Sequence, residues 1–152
     1  MKEKGKFMLS EHFSLEEMCK TSARTGDGNI PSRQQIENLK RVCQWLEELR
    51  RRRGGNEGIV INSGFRSPAV NKAVGGAPTS NHLTGCAADI RVSGMEQALR
   101  YAVILLDISD ESGEDFDELL IERNARGAIW LHFAVKENGN RRKLNYCGVP
   151  GS

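Results

Sequence analysis

Apolar residues recur at Ile36, Leu39, Val42, Cys43, Leu46 and Leu49. That three-and-four spacing lays one stripe along a helix and turns it toward a core. Ser32 follows Pro31, and Gln35 comes three residues later, a pairing in which each side chain satisfies the other's free backbone N–H. Gly54 and Gly55 supply the stop. The pattern predicts a long helix between Ser32 and Gly54. A shorter helix is expected in SLEEMCKTS, where Ser14 and Glu17 repeat the starting signal. A third is expected in SGMEQALRYAVILLDIS, starting at Ser93 and Glu96, with Met95, Leu99, Ala102, Val103 and Leu106 as its buried stripe.

Elsewhere the period changes. GIVINSGFRS reads as a short strand, Ile59 to Asn62, that runs into a loop, and AADIRV reads as a second strand. Between them, Ser63 to Asn81 is rich in Gly, Pro, Ser and Asn and is expected to be one long loop, a feature usually tied to function. DELLIERNARGAIWLHFAV reads as a hairpin turning at Arg126-Gly127, with alternation weak enough that both faces are expected to be covered. The polar segment KENGNRRKLNYCGVPGS is expected to fray. The fold class is therefore α+β, with a small, largely antiparallel sheet and helices packed on it. The 152 residues are expected to form one domain, with a core of about residues 13–135 and a polar tail over 136–152.

Composition narrows the function. A net charge of +2 is too small to indicate a nucleic-acid partner, and no apolar stretch is long enough to span a membrane. The run Arg50 to Arg53 ends a helix, where cations meet the negative end of its dipole. MKEKGKFMLSEHF lacks the apolar region of a signal peptide, so synthesis in the cytoplasm is expected. The four cysteines show no paired spacing and are expected to be free thiols. A monomer is expected.

Three histidines are present, and two of them bear on chemistry. In SNHLTGCAADI, His82 and Asp89 bracket a run of small residues, with Gly85 turning the chain between them. His132 sits in the apolar strand IWLHFAV. A lone strand histidine is usually a core residue, but this one comes with a second unusual polar pair. Two imidazoles and a carboxylate make a tripod for zinc, which takes such donors at ~2.0–2.2 Å. The small residues let the backbone fold close to an ion.

SNHLTGCAADI also fits the S-x-H-x-x-G-x-A-x-D pattern of the zinc D-Ala-D-Ala carboxypeptidase family, the M15 peptidases and related phage endolysins. SGFRSPAVN resembles that family's S-G-[FY]-R-S-x-x-x-N segment, and IWLHFAV resembles its W-[IV]-H strand, in the same order. The resemblance covers roughly Phe13 to Val135. It implies the family's hedgehog/D-Ala-D-Ala-peptidase-like fold and a zinc ion held by His82, Asp89 and His132. It also implies Ser80 as a supporting residue and Arg66 as a group facing the substrate's carboxylate or carbonyl oxygen. The plainer readings are a turn cap for Ser80 and a loop arginine tied to a nearby acid for Arg66.

Some family members carry E-x-x-H before the last histidine, but here that position is Ile129. Glu122 is the substitute general base, on the condition that it pairs with Trp130 across the hairpin and so shares a face with His132. Asp117 is read as a supporting or sheet-edge residue. Cys86 is a small packing residue, with a thiolate nucleophile as its rival reading. The expected function is hydrolysis of an amide bond in the peptidoglycan stem peptide, by a zinc carboxypeptidase or an endolysin-type endopeptidase. The enzyme would reach the cell wall as a phage or prophage lysis protein or by an unrecognised export route. The alternative is an inactive wall-binding domain that keeps the fold.

Overall fold

The structure is a computed structural model that describes residues 6–148. Helix α1 (Leu15–Met18) is capped by Ser14, whose hydroxyl accepts from Glu17 N. Helix α2 (Arg33–Arg53) begins with the reciprocal Ser32–Gln35 pair and ends at Gly54. Strand β1 (Ile61–Ser63) leads to a short helix α3 (Pro68–Ala73) and a 3-10 turn, Asn81–Thr84. Strand β2 (Ala87–Arg91), helix α4 (Met95–Ser112) and strands β3 (Glu118–Arg123), β4 (Ile129–Ala134) and β5 (Lys143–Cys147) complete the chain.

The five strands form one sheet in the order β1-β2-β4-β3-β5. Every pairing is antiparallel except β3 with β5. Successive side chains of a strand point to opposite faces, so register assigns each residue a side. Ala88, Ile90, Leu119, Ile121, Leu131 and Phe133 face the core. Leu39, Val42, Leu46 and Leu49 of α2 and Ala98, Tyr101, Leu105 and Ile108 of α4 belong to the same cluster. Trp45 packs against Phe133 and Phe116, with ring centroids 5.3 and 6.4 Å away. The opposite face carries Asp89, His132, Glu118 and Glu122, and a groove of about 770 Å³ opens over it.

Four expectations need correction. Residues 63–81 are not one long loop, because Ser67 caps α3 with Pro68 at its first position and Ser80 caps the 3-10 turn. The third helix is rotated from the expected face: Met95, Ala102 and Leu106 do pack against the core, half-buried, but Leu99 and Val103 are 51% and 55% exposed, while Ala98 and Leu105 are sealed. Its cap is Gly94, with no side-chain hydrogen bond, and the Gln97 side chain instead accepts from Ser93 N. The expected polar tail 136–152 contains β5, which starts where Arg142 N and Lys143 N donate to the carbonyls of Phe116 and Asp117. A polar strand at a sheet edge needs no apolar pattern, because backbone pairing alone holds it there. The expected fraying of residues 149–152 lies outside the described residues.

Candidate metal centre

His82 reaches the groove from the 3-10 turn, and local backbone clasps it on both sides. Ser80 Oγ accepts from His82 N at 3.1 Å, and Arg66 N donates to His82 O at 3.0 Å. The turn stops at Gly85, whose φ of +78° suits glycine. A Cβ there would lie 2.6 Å from Gln35 O on α2. His82 Nδ1 donates to Gly64 O at 2.6 Å, since a carbonyl can only accept, and this turns Nε2 toward Asp89. Gly64 must itself be small, because a Cβ would sit 2.3 Å from Met18 O. The turn residues of SNHLTG and the glycine of SGFR thus fix one imidazole.

Asp89 and His132 are cross-strand partners on β2 and β4. Asp89 Oδ1 lies 3.0 Å from His132 Nδ1 and 3.2 Å from His82 Nε2. One ligating atom from each of the three residues falls within 4.8 Å of the others. All three side chains are buried. The structure therefore brings together the three residues expected as a tripod, from a turn and two adjacent strands. The second group of this type, Glu11, His12 and Glu47, is more exposed, and Arg50 already occupies His12 Nε2 at 3.0 Å.

The charges around His132 favour a cation. Burial opposes its imidazolium form, but hydrogen bonds to Asp89 and Glu118 and the Glu122 charge outweigh burial and push its pKa up to about 10. Asp89 is held below the usual carboxylate range despite its burial, chiefly by the charge of His82 and by hydrogen bonds from both histidines. A divalent cation meets the same field with stronger charge, and two nitrogens with one carboxylate oxygen match its donor chemistry.

The remaining expected residues fall around the tripod. Glu122 pairs with Trp130, so it does share a face with His132, and its Oε1 lies 4.0 Å from His132 Nδ1. Trp130 Nε1 donates to the same oxygen at 2.8 Å. Arg66 lines the groove, but its hydrogen bonds run to Ser63 Oγ (3.0 Å), Asn71 Oδ1 (3.3 Å) and Asp89 Oδ2 (3.2 Å). The nearby acid that ties this arginine is thus the tripod carboxylate itself. Ser63 and Asn71 belong to the same SGFRSPAVN segment, so that motif builds a cradle for Arg66. Cys86 is buried and absent from the groove wall, and all four cysteines are free.

Three contributors were not anticipated. Glu118 Oε1 lies 2.9 Å from His132 Nε2. Asn81 Nδ2 donates to both Glu118 and Asp117 at 2.8 Å. Arg141 binds Asp117, which is fully buried. Period two on β3 was the available signal: a strand that turns Glu122 toward the site turns Glu118 there too.

A family profile described as Peptidase M15 matches residues 11–109. That span contains Arg66, Ser80, His82 and Asp89 and stops short of Glu122 and His132. The chain is also 43% identical over 49 residues to the zinc D-Ala-D-Ala carboxypeptidase of Streptomyces albus G. The matched stretch is 32% of this chain and 19% of that protein.

Proposed function

This chain belongs to the peptidase M15 family, and on that premise we propose that it is a zinc-dependent peptidase that hydrolyses an amide bond in the stem peptide of peptidoglycan. The observation that carries this reading is the convergence of His82, Asp89 and His132 within 4.8 Å at the floor of a groove, with Glu122 beside them. The named activity of the Streptomyces albus G relative supports the substrate class.

His82, Asp89 and His132 would hold the metal. Zinc bound there supplies Lewis acidity, which polarises an amide carbonyl and makes water a stronger acid. Glu122 takes a proton from the attacking water and hands it to the departing amine nitrogen, the exchange expected of a positioned carboxylate. Trp130 holds Glu122 in place for both transfers. Arg66 keeps Asp89 presented through one oxygen. Of the five guanidinium donors, three are engaged by protein, and the others meet the substrate's carboxylate or carbonyl oxygen. Ser80 supports the turn that carries His82.

The test is incubation of the purified chain with defined muropeptides, with and without a chelator, and mass spectrometry of the fragments. Release of D-alanine or of a new amine, abolished by the chelator and restored by zinc, is expected. The fragment masses distinguish terminal trimming from internal cleavage of a cross-link. Tight zinc binding with no released fragment would overturn the enzyme reading and leave a wall-binding domain.

A further inference from the structure

Residues 136–147 lie beyond the family match, yet Lys136, Arg141 and Lys143 line the groove. Arg141, in the connection before β5, grips Asp117. Its backbone N and Nε each lie 3.0 Å from Asp117 Oδ1, and its Nη2 lies 2.8 Å from Oδ2. The same Nη2 is 3.4 Å from Glu118 Oε2. Asn81, next in sequence to His82, donates from Nδ2 to both acids. Glu118 Oε1 then meets His132 Nε2 at 2.9 Å. One carboxylate is therefore held by the turn that carries one ligand and by the C-terminal segment, and it bonds a second ligand.

We infer that Glu118 is a positioning residue for His132, and that Asn81 and Arg141 keep it in place. A neutral imidazole carries one proton on either nitrogen, and a metal needs the nitrogen without it. With a cation between Nδ1, Asp89 and His82, an acceptor fixed at Nε2 keeps the one proton there and leaves the Nδ1 lone pair for the metal. The ring angle is set by the same bond. An anionic acceptor also makes the ligand more basic than a carbonyl would, as outer carboxylates do in histidine metal sites. His82 has the carbonyl of Gly64 in this role, so the two histidines differ in donor strength. Glu118 is not a second general base, because its Oε1 is engaged by His132 and Asn81 and lies at the nitrogen facing away from Asp89. The inference rests on the metal site proposed above, and it makes the C-terminal segment part of that site.

The experiment measures zinc affinity in the metal-stripped full chain by competition with a chromophoric chelator, and the Co²⁺ absorption spectrum of the same proteins. Glu118→Ala is expected to weaken zinc binding about 10–100-fold and to change the cobalt bands. Glu118→Gln keeps an oxygen acceptor without the charge, and is expected to restore the cobalt bands and part of the affinity. Arg141→Gln, at a side chain 54% exposed, is expected to weaken binding by about tenfold or less with the fold intact, so it reads the network even if Glu118→Ala fails to fold. Wild-type zinc binding with Glu118→Ala unchanged in affinity and spectrum would overturn the positioning role and leave the metal site standing. Glu118→Gln no better than Glu118→Ala would overturn the hydrogen-bond account. A wild-type chain that binds no zinc would overturn the metal site itself.

Discussion

Trp130 and Glu122 face each other across the β3–β4 ladder, and the indole Nε1 donates to Glu122 Oε1 at 2.8 Å. The same carboxylate oxygen lies 4.0 Å from His132 Nδ1. The bond holds a flexible side chain at one distance from the tripod. Trp130→Phe keeps an aromatic ring and removes the donor. A hydrogen bond to a charged group is worth about 1.5–3 kcal/mol, so kcat should fall about 10–150-fold. KM and zinc content should stay near wild type, and steady-state kinetics with metal analysis checks both.

Glu122→Gln removes the proton acceptor and leaves an oxygen that still accepts from Trp130. The loss of a positioned general base costs about 10²–10⁴-fold in rate. That loss should appear in kcat, with one zinc per chain retained. Unchanged turnover would remove Glu122 from the mechanism without disturbing the metal site.

Gly85 combines a φ of +78° with a close approach to the carbonyl of Gln35. Gly85→Ala meets both obstacles, and strain of this type costs about 1–3 kcal/mol. The urea midpoint should fall accordingly. Zinc affinity should fall with it, because Gly85 N donates to His82 O and ends the turn that carries the ligand.

Asp117 gives the chain an acid-sensitive clamp. Burial works against its ionised form, but hydrogen bonds from Arg141 and Asn81 prevail and hold its carboxyl well below the usual range. Its folded pKa is thus lower than its unfolded value of about 3.9. The stability it contributes is fully present above that value and is lost as pH falls through the folded one. Urea midpoints should therefore decline below about pH 4 more steeply in the wild type than in Arg141→Gln.

Much of the frame was legible along the chain. The α2 stripe from Leu39 to Leu49 is a local period, and the Ser32–Gln35 start is a local bond. Both follow from neighbours within four residues. The α4 face was not legible, because YAVILLDI offers adjacent stripes of similar apolarity. Contact with α2 and the sheet chose Ala98, Tyr101, Leu105 and Ile108 over Leu99 and Val103. The β5 strand has no apolar signal, since an edge strand is held by backbone pairing with β3.

The site divides the same way. His82, Gly85 and Asp89 stand in one short motif, and their residue types already specify a turn and two candidate ligands. The residues around them, Glu118, Asn81 and Arg141, look like ordinary surface polar residues in sequence. Their bonds join positions 14 to 37 residues apart. Residue types and their order along the chain fix the candidate ligands and the local elements, because short-range sterics and hydrogen bonds act on near neighbours. Strand register is set by pairing between distant segments, and a slip of one residue reverses every side chain. Folding alone therefore put Glu122 and Glu118 on the same face as His132.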